Sequence, residues 1–190
     1  MTDEIRDRFD QAARAIAETG EALADKIAEA AALIVDSYRT GGGVLIFGNG
    51  GSAADAQHVA GELVGRFLKE RRGLRAVALT ADASVLTSLA YDYGYQSVFA
   101  RQIEALGRTG DVAIGISTSG NSPNVVAGLQ RARELGLGTI AMTGAGGGKC
   151  AKLADILLAV PKTHTPLIQQ AQQVIYHVIC EIVEREIIAG

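Results

Sequence analysis

The sequence predicts an α/β domain built on a mostly parallel sheet. Three observations predict it. Short, unbroken apolar runs recur at residues 44–47, 76–79, 112–116, 139–143 and 156–160, the pattern of strands covered on both faces. Segments with helical apolar spacing alternate with them. Two of the runs end in small polar loops, residues 48–52 and 117–122, that lead straight into helix-compatible sequence. Ligands in such sheets sit outside the carboxyl ends of strands, so both loops are expected to face one pocket.

Composition narrows the class. A chain of 190 residues, 48% of them hydrophobic, can bury a core as one domain. The net charge of −3 comes with no clustered basic patch, which argues against a nucleic-acid partner. The run Lys69-Glu70-Arg71-Arg72 mixes signs and reads as a solvated loop. Cys150 and Cys180 stand far apart and suggest neither a disulfide framework nor a zinc knuckle, so the reducing cytoplasm is the expected location. The acidic start, Met1-Thr2-Asp3-Glu4, lacks an apolar signal core. No apolar run is long enough to span a bilayer, so no membrane partner is expected.

The first 40 residues read as helix, with apolar positions at Ile5, Phe9, Ala12, Ala13 and Ile16, then Leu23, Ile27, Ala31, Leu33 and Ile34. Gly20 is expected to break or bend this stretch. A helical pair over residues 1–40 would then precede a domain over 41–190, the two making one structural unit. Such a pair serves as an oligomer surface or packs on its own domain, and the sequence leaves both open.

Gly41-Gly42-Gly43 feeds the first strand. Beyond it Gly48, Gly50 and Gly51 permit positive φ and close approach of backbone to a ligand. Ser52 is expected to cap the next helix, whose first N–H groups attract anions and sugar hydroxyls. His58 and Glu62 are four apart and share a helix face. They are either solvated structural residues or an acid–base pair.

A charged segment over 66–75 leads to the second strand. Asp82 should cap a helix running to about Ala90. Residues 91–95 hold three of the five tyrosines in an expected loop, which either lines a pocket or forms a surface turn. Residues 98–106 read as helix, and 107–111 turn into the third strand. The loop after it carries Ser117, Thr118, Ser119 and Ser122, and Pro123 suits the first turn of a helix reaching Leu135. Hydroxyls and helix-start N–H groups on one spot favour a phosphate monoester. No Walker lysine follows, so a nucleoside triphosphate is not indicated. After the fourth strand, a short helix over 149–154 and the fifth strand, Pro166 opens a last helix to about Ile188. Gln169, Gln173 and His177 step by four along it, either a solvated stripe or a functional ridge.

Three motifs together carry a resemblance. They are Gly48-Asn49-Gly50-Gly51-Ser52-Ala53-Ala54-Asp55-Ala56-Gln57-His58, Ile116-Ser117-Thr118-Ser119-Gly120-Asn121-Ser122, and Thr165-Pro166-Leu167-Ile168-Gln169. The chain resembles the SIS (sugar isomerase) domain family, and within it the phosphoheptose isomerases. The resemblance implies a three-layer SIS fold, with a five-stranded parallel sheet flanked by helices. It implies conversion of sedoheptulose 7-phosphate to D-glycero-D-manno-heptose 7-phosphate, the first step toward ADP- or GDP-activated heptose and lipopolysaccharide. It further implies a cytoplasmic homotetramer with active sites at subunit interfaces and one zinc per subunit. Glu62 and His177 take the acid–base roles. His58, Glu62, Gln169 and His177 take the metal-ligand roles. Ser117, Thr118, Ser119 and Ser122 fall on the phosphate loop. Asn49, Gly50, Gly51, Ser52 and Asp92 fall on sugar contacts, beside Glu62 and Gln169.

The chain departs from the family pattern at Tyr91, where asparagine is common, at Gln172, where histidine is common, and at Thr80-Ala81-Asp82-Ala83-Ser84, where the family often has Thr-Thr-Asp-Thr-Ser. These bear on substrate preference. The alternative is a non-catalytic SIS-domain binding protein, such as a replication-initiator-associating protein; such relatives lack the glutamate and the late histidine. A third reading, kept open by Tyr91, is an isomerase or regulator acting on another sugar phosphate.

Overall fold

The computed structural model describes residues 1–189. The elements run α1 (Thr2–Arg39), β1 (Val44–Gly48), α2 (Gly51–Val64), β2 (Ala76–Ala78), α3 (Ala83–Tyr93) and α4 (Val98–Leu106). Then come β3 (Val112–Ser117), α5 (Pro123–Glu134), β4 (Gly138–Thr143), β5 (Ile156–Ala159) and α6 (Thr165–Ala189). The strands form one parallel sheet in the order β2-β1-β3-β4-β5.

Strand residues alternate between two cores, as the pleat requires. Val44, Ile46, Ile114, Ile116, Ile140 and Met142 face α1, α2 and α6. Leu45, Phe47, Ala113 and Ala141 face the opposite layer, with Phe99 and Ile103 of α4 and Val125 and Leu129 of α5. This is the expected three-layer arrangement. β1 connects through α2 toward one edge of the sheet, and β3 through α5 toward the other. The crevice where the chain direction divides therefore opens between the carboxyl ends of β1 and β3, where ligands bind in such folds.

The expected N-terminal helical pair is instead one continuous 38-residue helix. Gly20 keeps a helical backbone, and a central glycine costs only about 1 kcal/mol relative to alanine. That cost is offset by a long apolar seam, in which Leu23, Ile27, Ala30 and Ile34 pack with Ile175, Ile179 and Val183 of α6.

Other local expectations also shift. Gly50, with φ +56°, caps α2, and Ser52 lies buried inside its first turn rather than capping it. A left-handed backbone at the cap favours glycine over serine. α3 continues through Tyr93, so Tyr91 and Asp92 are helical and the break falls at Gly94, φ +80°. The short helix near 149 is a 3-10 turn over Gly148–Lys152. Asp82 caps α3 as expected, its carboxylate accepting from the Val85 amide at 2.9 Å. The Lys69–Arg72 run is not wholly solvated, because the Arg71 side chain is 4% exposed and faces Glu184.

Candidate active site

The loop after β1 is tied to the start of α5. The Asn49 amide donates to Asn124 Oδ1 at 2.9 Å, and the Asn124 amide donates back to Asn49 Oδ1 at 2.8 Å. Tyr95 also donates its hydroxyl to Asn49 Oδ1 at 3.2 Å. A cleft of about 320 Å³ opens here, lined by Asn49, Tyr95, Gln96, Ser122, Pro123 and Asn124. The two loops expected to share a pocket do share this one.

The loop after β3 brings hydroxyls together. Ser117 Oγ lies 2.9 Å from Ser122 Oγ and 3.5 Å from Ser119 Oγ. Thr118 stands between them, and its carbonyl accepts from the Gly144 amide at 2.9 Å. The turn depends on Gly120, whose φ is +65°; a Cβ there would lie 2.1 Å from the Gly147 carbonyl oxygen. The Cys150 amide donates to the Gly120 carbonyl at 2.9 Å, and the Lys149 amide to Asn121 Oδ1 at 3.1 Å. Serine hydroxyls beside the N-terminus of α5 gather donors of the kind that receive an anion.

The third part lies between α2 and α6. His58 Nε2 is 3.0 Å from Glu62 Oε1, the spacing that four residues on one helix face provide. His58 Nδ1 is 3.2 Å from the Tyr176 hydroxyl, which also donates to Asp55 Oδ1 at 3.3 Å. The His177 ring meets the His58 ring edge to face at 5.1 Å, and the Phe67 ring at 5.6 Å. Burial pushes the Asp55 carboxyl above the usual carboxylate range, against the hydrogen bond from Tyr176 and the charge of His58. Burial, with the Asp55 charge beside it, also raises the Tyr176 phenol.

Gln169, at the start of α6, meets the start of α2. Its side chain lies over Gly51, where a Cβ would fall 2.6 Å from Gln169 Nε2. α2 thus runs from the β1 loop to Glu62, and its side chains tilt back toward that loop. α6 runs alongside from Gln169 to His177. Of the sequence-predicted residues, His58, Glu62 and His177 converge, and Asn49 shares a cleft with Ser122. Ser117, Ser119 and Ser122 cluster together. Gly50, Gly51 and Ser52 form the start of α2. Asp92 is not brought to them within the chain and lies exposed on α3. Tyr95, from the tyrosine segment offered as a pocket wall, does line the cleft, whereas sequence reasoning missed Asn124, Asp55 and Tyr176. The i, i+3 spacing of Asp55 and His58 on one face was the available signal for one of them.

The SIS domain family model matches residues 8–144, most of the chain. A phosphoheptose isomerase of Aquifex aeolicus is 50% identical over 184 residues, covering 97% of this chain and 96% of that protein. The chain belongs to the phosphoheptose isomerase family of SIS-domain proteins. The phosphoheptose isomerase of Rhodospirillum rubrum is likewise 50% identical, over 97% of both chains. Among solved structures, a phosphoheptose isomerase from Neisseria gonorrhoeae superposes with a TM-score of 0.92 at 41% identity, covering 97% of this chain and 98% of that one. The family likeness takes in α1 as well as the sheet.

The donor chemistry of His58, Glu62, Gln169 and His177 suits zinc, which accepts imidazole nitrogen and carboxylate oxygen without a thiolate. In this arrangement His58 and Glu62 are bonded to each other. Among the described residues no three His, Cys, Asp or Glu side chains converge tightly enough to chelate an ion.

Proposed function

We propose that the chain is a ketose–aldose isomerase that converts sedoheptulose 7-phosphate to D-glycero-D-manno-heptose 7-phosphate, opening the route to ADP- or GDP-heptose. One observation supports this most directly: Glu62 and His177, far apart in sequence, both stand beside the His58 imidazole.

The residues divide the work. Ser117, Thr118, Ser119, Ser122 and the N-terminus of α5 hold the phosphate. Asn49, Gly50, Gly51 and Ser52 contact the sugar, with Gln169 beside them and Asp92 contributed across a subunit contact. Binding energy from the phosphate orients the reacting carbons. Glu62, whose side chain is 23% exposed, takes the proton from the carbon beside the carbonyl and gives a cis-enediol. His177 moves the proton between the two oxygens, and return of the carbon proton to the neighbouring position completes the aldose. His58, Glu62, Gln169 and His177 are the proposed holders of one zinc per subunit, which when bound supplies polarisation of the substrate oxygens.

A homotetramer with interface sites is part of the proposal. Phe9 of α1 is 74% exposed, and Val174 and Val178 of α6 are also exposed. A cleft of about 400 Å³, lined by Phe9, Ala12, Gln170, Gln173, Val174 and His177 among others, borders His177 from the α1 side. A neighbouring subunit seated there would close the site. No helix among the described residues is long and apolar enough to cross a membrane. The non-catalytic binding reading is disfavoured, because Glu62 and His177 are both present and meet the same imidazole.

The test is direct. Purified protein is incubated with sedoheptulose 7-phosphate and the products are followed by NMR, with and without a chelator. The aldose product is expected, with a slower rate after chelation. Unchanged substrate from metal-loaded protein would overturn the reading.

A further inference from the structure

We propose that the buried Arg71–Glu184 pair positions the acid–base site by clamping the last turn of α2 to α6. This rests on the isomerase reading above.

Both side chains are nearly sealed from solvent, at 4% and 3% exposure. Their hydrogen bonds fall on the segments that carry the proposed chemistry. Arg71 Nη2 donates to the Glu62 carbonyl at 2.7 Å. Its Nη1 donates to the carbonyls of Leu63 and Gly65, both at 2.9 Å, and of Arg72 at 3.0 Å. These include carbonyls that the end of α2 leaves without helical partners. Arg71 thereby fixes the backbone of the turn from which Glu62 projects.

Glu184 does the same for the other partner. It stands about two turns beyond His177 on α6, on the same face. Its carboxylate accepts from the amides of Phe67, Leu68 and Lys69 at 2.8, 2.7 and 2.8 Å. Phe67 is thus held with its ring 5.6 Å from that of His177. Arg71 Nε lies 3.4 Å from Glu184 Oε1, an ion-pair contact without a hydrogen bond, and this charge attraction joins the two halves. One pair therefore sets both the height of Glu62 and a wall of the His177 pocket.

The composition of the clamp favours positioning over plain stabilisation. A desolvated ion pair is a poor source of stability, and packed apolar residues often replace one without loss. They could not receive three consecutive amides or cap four carbonyls. A guanidinium opposite a carboxylate meets both demands at once.

The experiment measures kcat and KM for sedoheptulose 7-phosphate in full-length Arg71→Lys and Glu184→Gln, per folded molecule. Lysine offers one point charge in place of the fork, and glutamine loses one acceptor. A fall in kcat of about tenfold or more is expected, with KM within about threefold, because small displacements of reacting groups have large rate effects. Combined with Glu62→Gln, Arg71→Lys should add much less than its separate effect. With only three histidines in the chain, the His177 ring resonance is readily followed and should move in Glu184→Gln.

Unchanged kcat in both folded variants, multiplicative effects with Glu62→Gln, or an unmoved His177 resonance would overturn the clamp. So would failure of both variants to fold, which would make the pair a structural staple. Wild-type protein without isomerase activity would instead overturn the function on which the clamp rests. Active wild type with unaffected variants sinks the clamp alone.

Discussion

The His58 and His177 rings meet edge to face, 5.1 Å between centroids, although one comes from the helix after the first strand and the other from the last helix. His58 is also bonded to Glu62, so a single imidazole stands beside both proposed proton carriers. This contact is the basis for treating Glu62 and His177 as one acid–base unit.

Replacing either carrier should remove most of the rate and leave the fold intact. Glu62→Gln and His177→Gln are each expected to lower kcat by about 10²–10⁴-fold, the usual range for a positioned acid or base. Far-ultraviolet circular dichroism should be unchanged. Isomerisation near the wild-type rate in either variant would remove that residue from the mechanism.

The phosphate cradle should be sensitive to its turn. Gly120→Ala forces a side chain into a left-handed backbone and toward the Gly147 carbonyl. A loss of at least about 2 kcal/mol in stability is expected, seen as a lower midpoint in thermal unfolding. Ser122→Ala removes only a hydroxyl, 2.9 Å from that of Ser117, and should raise KM several-fold without a matching change in the midpoint. An unaltered midpoint for Gly120→Ala would mean that the turn tolerates another conformation.

Acid stability should depend on Glu184. Burial works against its ionisation, but the amides of Leu68, Phe67 and Lys69, together with Arg71, outweigh it and hold the carboxyl below the usual carboxylate range. A lowered folded-state pKa gives stability that is present above the unfolded value, about 4.3 for glutamate, and is lost as pH falls through the folded value. Denaturant titrations of wild type from pH 7 downward should show this acid-limb loss. Glu184→Gln should be less stable at neutral pH and show a flatter acid limb. Parallel profiles for the two proteins would contradict the assignment.

The cysteines should be inert. Both are buried and unpaired, and burial raises the Cys150 thiol to about 11 and the Cys180 thiol to about 12. The thiolate is the reactive form, so little of it exists near neutral pH. A chromogenic disulfide reagent at pH 8 should modify neither thiol in folded protein and both in denaturant. Rapid labelling of native protein would show an open core.

Much of this protein was legible residue by residue. The unbroken apolar runs gave five parallel strands, because a strand buried on both faces has no polar alternation to show. Asp82 announced its helix through its side chain, and Pro123 through its fixed φ. The hydroxyl loop announced itself by its place after a core strand. The errors came where local signals are weak against packing. Gly20 looked like a break, yet the seam between α1 and α6 carries the helix through it. Arg71 looked solvated within a run of mixed charge, since its partner Glu184 lies near the other end of the chain.

By itself, then, the sequence determined which residue types stand on which element, and that two small polar loops follow the carboxyl ends of strands. That information is local, carried by period, turn chemistry and capping. Only the tertiary structure decided that Glu62 and His177 approach one imidazole, that Asn49 pairs with Asn124, and that a buried ion pair ties the two helices together. Those meetings depend on how helices pack across the sheet, and no spacing within a single element can encode that distance.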